Sequence, residues 1–338
     1  MRSSAPAVPA SFVAPRARAP LPRKHPGGIQ SPVAVLSPLP LAHPASPKRR
    51  ISSPLALWHL LSLDAPTVAV LWTWFLAASV HISLPLISTA AMAIAVWMLY
   101  AADRLLDARL LDARPLHTGD LLHRHRFHHR HRSLFLLGIL AASVALALLI
   151  PRLHPHAIRL DLILGALLAG YFILVHATGS AHRLPNEIAV GLFFSAAVFI
   201  PTVARAPQLR FNLLPVAALF ALLCSLNCLF IYHWEHPALH LATSTPHPVT
   251  RLAIRHIARI AALSLACDLL AAALSLHQLH PSPWTPPTAC AISTAILLLL
   301  HRYRLHLSPL DLRAAADLAL LTPLLLLNPL LPHPALSL

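Results

Sequence analysis

The stretch from Tyr100 to Arg132 reads YAADRLLDARLLDARPLHTGDLLHRHRFHHRHR and is a long polar interruption in an otherwise apolar chain. Directly before it, Ile82 to Leu99 form an apolar run long enough to cross a bilayer as a helix. Its first two acids, Asp103 and Asp107, are four residues apart, so a helix places both on one face, one turn apart. Like charges at that spacing repel each other unless a cation sits between them. The plainer alternative is a helix end meeting water, with Arg104, Arg109 and Arg114 as ion-pair partners. Asp112, at a different helical phase, is secondary.

Composition sets the frame for that stretch. Of 338 residues, 57% are hydrophobic and 11% charged, and the mean hydropathy is +0.66. A soluble globular domain of this length is excluded, because apolar runs near bilayer length recur along the chain. The expected class is an all-α, polytopic membrane protein. The net charge of +15 could suggest nucleic acid, but its distribution points to topology and to membrane lipids as partners, and no nucleic-acid partner is expected. Cys224, Cys228, Cys267 and Cys290 lie inside apolar runs and match neither a zinc site nor a disulfide framework.

Residues 1–55 are rich in Pro, Ala and Arg and contain no acid. They read as a disordered cytoplasmic tail, or as a transit segment, since no apolar core follows Met1. Residues 56–332 carry nine candidate spans at roughly 63–80, 83–101, 134–151, 159–177, 187–204, 212–232, 256–276, 284–301 and 309–331. Pro66, Pro85 and Pro323 fall inside these runs as candidate kinks. Gly165 and Gly170 give the fourth span a small-residue face suited to close packing. Basic residues alternate in density: 22 of the 26 Lys and Arg fall on the side of the N-terminus. By the positive-inside rule the N-terminus is cytoplasmic and the C-terminus external, in an inner or plasma membrane. Two cytoplasmic loops are long, about 103–133 and about 233–255, and they follow spans two and six.

The second of these loops is introduced by LNCLFIYHWEH, in which Asn227 and Glu235 lie two turns apart on one face. If spans two and six face each other, Asp103, Asp107, Glu235 and Asn227 converge at the cytoplasmic interface. Oxygen donors of that kind suit Mg²⁺, which takes one or two carboxylates and completes its shell with water and substrate phosphate.

Nine spans, an inward N-terminus and acidic motifs after spans two and six resemble the UbiA superfamily of intramembrane prenyltransferases. In that family the first motif is Asn-x3-Asp-x3-Asp, and Asp103 and Asp107 match its two aspartates, while Leu99 stands where the Asn would be. The second motif is Asp-x3-Asp; Glu235 matches one acid and Ile231 occupies the other position, with Asn227 a turn earlier. The stretch His182–Glu187 resembles the basic turn before the fifth span. The resemblance implies a nine-helix UbiA-like bundle that transfers a prenyl group from an isoprenoid diphosphate to a lipophilic, often aromatic, acceptor. It implies Mg²⁺ on Asp103, Asp107, Glu235 and Asn227, and diphosphate contacts from Arg104, Arg183, Arg251 and Arg255. A transporter, or a catalytically inactive relative, is the alternative.

Other polar groups have simpler expectations. The histidines His117, His123, His125, His128, His129 and His131 suit a basic lipid-facing loop more than a metal site, because arginines are interleaved with them. Asp268, deep in the seventh span, should find a partner across helices. Arg313 and Asp317 are spaced to pair with each other. Asp64 and Asp161 sit at helix starts, where the dipole favours acids.

Overall fold

The computed structural model describes residues 54–111, 127–128, 130–177, 185–235, 247–277 and 283–327. The N-terminal tail to residue 53, most of the histidine-rich loop, Arg183 and the loop 236–246 lie outside the described residues, as does the side chain of Asp107. All described residues belong to the second of two units, Ile51–Leu338.

Every described element is helical, with no strand among the described residues. In chain order the helices are α1 (Pro54–Leu60), α2 (Asp64–Ser79), α3 (Leu86–Leu111), α4 (Arg132–Leu149), α5 (Pro155–Ala177) and α6 (Asn186–Arg205). They continue with α7 (Arg210–Glu235), α8 (Pro248–Arg255), α9 (Ile257–Leu276), α10 (Thr285–Arg302) and α11 (Pro309–Ala319). Six of these, α3, α4, α5, α6, α7 and α9, are long and apolar enough to cross a membrane, which is compatible with a membrane protein. The other three expected spans are also helical: α2 with 16 residues, α10 with 18, and α11 with 11 followed by a 3-10 turn at Thr322–Leu326. Pro323 stands in that turn and keeps the last segment from continuing as one straight helix. Pro66 falls in the first turn of α2 and Pro85 just ahead of α3, where the missing amide donor costs nothing, so neither kinks its helix. Pro201 and Pro215 lie inside α6 and α7.

Helix α7 is the hub, packed on α6, α9, α10 and α11, while α2 packs on α3 and α6. At the centre Trp72 of α2 lies over Phe220 of α7 with ring centroids 4.3 Å apart, and donates from Nε1 to the Leu320 carbonyl at 2.8 Å. The α6–α7 crossing is tight because residue 191 is glycine. A Cβ there would meet Ser225 Oγ and sit 2.6 Å from the Ala221 carbonyl. Gly165 and Gly170, expected to serve close packing, instead face open space. Around this core, α4 buries only Phe135 and exposes Leu134, Leu136, Leu137, Leu140, Val144 and Leu148. Helix α5 likewise exposes Leu162, Ile163, Leu167, Ile173 and Leu174. Water would leave these apolar faces as aggregation surfaces, whereas lipid solvates them.

Candidate functional site

Two turns of the chain build the site's first corner. Helix α1 ends in a Schellman motif: Leu63 N–H donates to Trp58 O at 3.0 Å and Ser62 N–H to His59 O at 3.1 Å. The hinge residue Ser62 takes φ 58°, a left-handed conformation. This reversal folds His59 back over Asp64, the first residue of α2. Asp64 Oδ1 accepts the Ala65 amide at 3.0 Å, at the positive end of the helix dipole.

Three further helices close the site. Asp64 Oδ2 stands 2.9 Å from His59 Nδ1 and 3.7 Å from Arg104 Nη2 of α3. Asp317 of α11 brings Oδ2 to 3.4 Å from the same His59 nitrogen. His59, Asp64, Arg104 and Asn227 are all buried to better than nine-tenths. Beside them Arg313 donates from Nη1 to Glu235 Oε1 at 2.6 Å, joining α11 to the end of α7. Arg313 therefore pairs with Glu235 across helices, and Asp317, its expected partner one turn on, turns towards His59 instead.

Next to the cluster lies a cavity of about 50 Å³ lined by Asp64, Val68, Tyr100, Phe194, Cys224, Asn227, Cys228, Asp317 and Leu320, among others. Its walls come from α2, α3, α6, α7, α11 and the turn after α11. Five buried polar atoms at this corner, His59 Nδ1 and Nε2, Arg104 Nη1, Asn227 Oδ1 and Asp317 Oδ2, have no hydrogen-bond partner among the described residues. Unmet groups of this kind each cost on the order of 1–3 kcal/mol, more for charged ones, and so mark a place that a ligand or water completes.

The expected site residues are thus distributed unevenly. Arg104, Asn227 and Glu235 belong to this buried network. Asp103 is exposed on α3, a quarter-turn from Arg104. Arg251 and Arg255 are exposed on α8. That short helix is held to α6 by Thr250 Oγ1 donating to Glu187 Oε2 at 2.9 Å. Asp268 is fully buried and accepts from Thr294 Oγ1 of α10 at 3.4 Å, a partner across helices. Of the histidine tract, His128 is buried against the Phe135 ring at 4.8 Å and His131 Nδ1 lies 2.9 Å from Phe127 O.

Sequence reasoning did not find His59 or the joining of Asp64 with Asp317. A single acid in a first helical turn reads as a dipole contact, and 253 positions separate the two aspartates, so no local spacing announces them. The available signal was three ionisable groups flanking the first and last apolar runs. No family model, curated protein or solved structure matches the chain.

Proposed function

We propose that the chain is a divergent UbiA-type intramembrane transferase that moves a prenyl group from an isoprenoid diphosphate to a lipophilic acceptor. On this reading the bundle crosses the membrane nine times, with a cytoplasmic N-terminus and an external C-terminus. The observation that carries the proposal is that α3 and α7, the helices bearing the two acidic motifs, contribute Tyr100 and Asn227 to one cavity that Asp64 and Asp317 also line. Arg104 supplies a buried cation beside it, and the partly buried Arg313 a second. In a dry helical bundle, fixed cations stabilise the charge that develops on a departing diphosphate far more than they would in water.

The described donors do not form a complete magnesium cradle by themselves, since Glu235 is engaged by Arg313 and Asp103 faces outward. A Mg²⁺ delivered on the diphosphate needs only one or two protein carboxylates, a role that suits Asp103 and Asp107 of the first acidic motif. Bound there, the ion would neutralise the leaving group.

A second reading, a non-catalytic relative or a transporter, is favoured by the cavity's size, which fits an ion or a water and not a prenyl chain. One experiment separates the two. The full chain in proteoliposomes receives mixed prenyl diphosphates and a membrane lipid extract as acceptor source, and released diphosphate is measured. The transferase reading expects Mg²⁺-dependent release that falls on the order of 100-fold in Asp103→Asn and in Asp107→Asn. No release by the wild type, or equal release in both variants, establishes the second reading.

A further inference from the structure

The geometry points to a resident first-row divalent cation, of the Mn²⁺ or Zn²⁺ class, held by His59 Nδ1, Asp64 Oδ2 and Asp317 Oδ2. This site is separate from the acidic motifs and does not depend on the transferase reading.

The spacing of the donors is the first argument. The three side chains can each present one ligand atom with all of these atoms within 4.8 Å of one another. From His59 Nδ1 the two carboxylate oxygens stand at 2.9 and 3.4 Å. At metal–ligand lengths of about 2.1 Å, donors at a right angle are about 3.0 Å apart and donors at the tetrahedral angle about 3.4 Å apart. A hydrogen-bonded triad would give similar lengths but different directions. Among the described residues Nδ1 has no hydrogen-bond partner despite these short approaches. Donors arranged about a shared centre have this property.

Charge and unmet groups supply the second argument. Two carboxylates converge on one imidazole, with Arg104 Nη2 at 3.7 Å and Arg313, hydrogen-bonded to Glu235, also within electrostatic reach of both aspartates. With His59 neutral, Asp64, Asp317 and Glu235 still outnumber these two arginines, an excess negative charge that is costly away from bulk water without a counter-cation. Asn227, 6% exposed, lines the same cavity with Oδ1 unpartnered. Its amide oxygen adds a further hard donor, and about 50 Å³ holds an ion with a water. One imidazole with oxygen donors suits Mn²⁺, Fe²⁺ or Zn²⁺ over Mg²⁺, which favours all-oxygen shells. The competing occupant is a proton on His59 with water in the cavity.

The test uses the full chain in lipid nanodiscs, stripped with chelator, titrated with Mn²⁺ at neutral pH without prenyl diphosphate, and read by electron paramagnetic resonance. Its outcome is thereby independent of transferase activity. The site predicts one tightly bound Mn²⁺ per chain with a histidine nitrogen coupling, and a thermal midpoint that rises with Mn²⁺ and falls back with chelator. His59→Gln should erase the nitrogen coupling, and Asp64→Asn or Asp317→Asn should weaken binding on the order of 10- to 100-fold, with helicity checked by circular dichroism. Should these variants fail to fold, exchange of His117, His123 and His125 for Gln decides: coupling and midpoint shift that survive it support the site, and their loss overturns it. Absence of a nitrogen-coupled Mn²⁺ in the wild type overturns the proposal. So does binding unchanged in well-folded variants, which would place the ion on the histidine-rich loop.

Discussion

At the scale of single residues, the backbone departs from regularity where two helices stop. His81 takes φ 59° behind α2, with Ile82 N–H donating to Ala77 O at 2.8 Å and His81 N–H to Ala78 O at 3.0 Å. Glycine usually occupies that position, because a side chain in the left-handed region costs roughly 1–2 kcal/mol. His81 is exposed, so His81→Gly should raise stability by about 1 kcal/mol, seen as a higher thermal midpoint in detergent. A lower midpoint would mean that the imidazole makes a stabilising contact. Residue-level reading of the sequence succeeded where one helix holds the whole pattern, as with Asn227 and Glu235 on α7. It failed for Arg313, whose local partner Asp317 was outcompeted by Glu235, 78 positions earlier. Local spacing offers a partner, but tertiary packing decides which carboxylate is nearest.

Among elements, the small residues separate two kinds of helix contact. Gly191 lets α6 and α7 approach until backbone nearly meets backbone: a methyl group would press on the Ser225 hydroxyl, which can rotate, and on the Ala221 carbonyl and Ser225 amide, which cannot yield. Gly191→Ala should therefore destabilise the bundle by about 1–3 kcal/mol. Gly165→Ala and Gly170→Ala add their methyls where nothing lies within 4 Å, and improved helix propensity should make them neutral or slightly stabilising. Thermal denaturation of the three variants side by side checks both expectations, and equal losses in all three would refute the contrast. The apolar runs were legible as helices from hydropathy alone. Which glycine sits at a crossing was not, because α5 and α6 both show small residues and only the packing partner tells them apart. The same holds for Pro66, read as a kink, which proved to begin a helix.

For the whole molecule, the decisive pattern is greasy helices on the outside and ionisable groups within. Six helices are long and apolar enough to cross a membrane, and the peripheral ones bury little. In proteoliposomes a lipid-soluble diazirine label should modify the exposed Leu137 and Leu140 of α4, Leu167 of α5 and Leu263 of α9, and should spare the buried Leu223 and Leu226 of α7. Mapping the adducts by mass spectrometry checks this, and heavy labelling of α7 would mean that the packing order is different. That the chain would form helices long and apolar enough to cross a membrane was readable from composition and hydropathy. The His59–Asp64–Asp317 corner was not, since it exists only once the first and last described helices meet. That meeting has a consequence for biogenesis. The ribosome releases α1 and α2 long before α11 is translated, so Asp64 and His59 must wait without Asp317, and Trp72 Nε1 without the Leu320 carbonyl that receives it. Helix α11 thus works as a clasp, and a nascent chain halted before it would hold an open, polar seam of the kind that chaperones and quality-control proteases recognise.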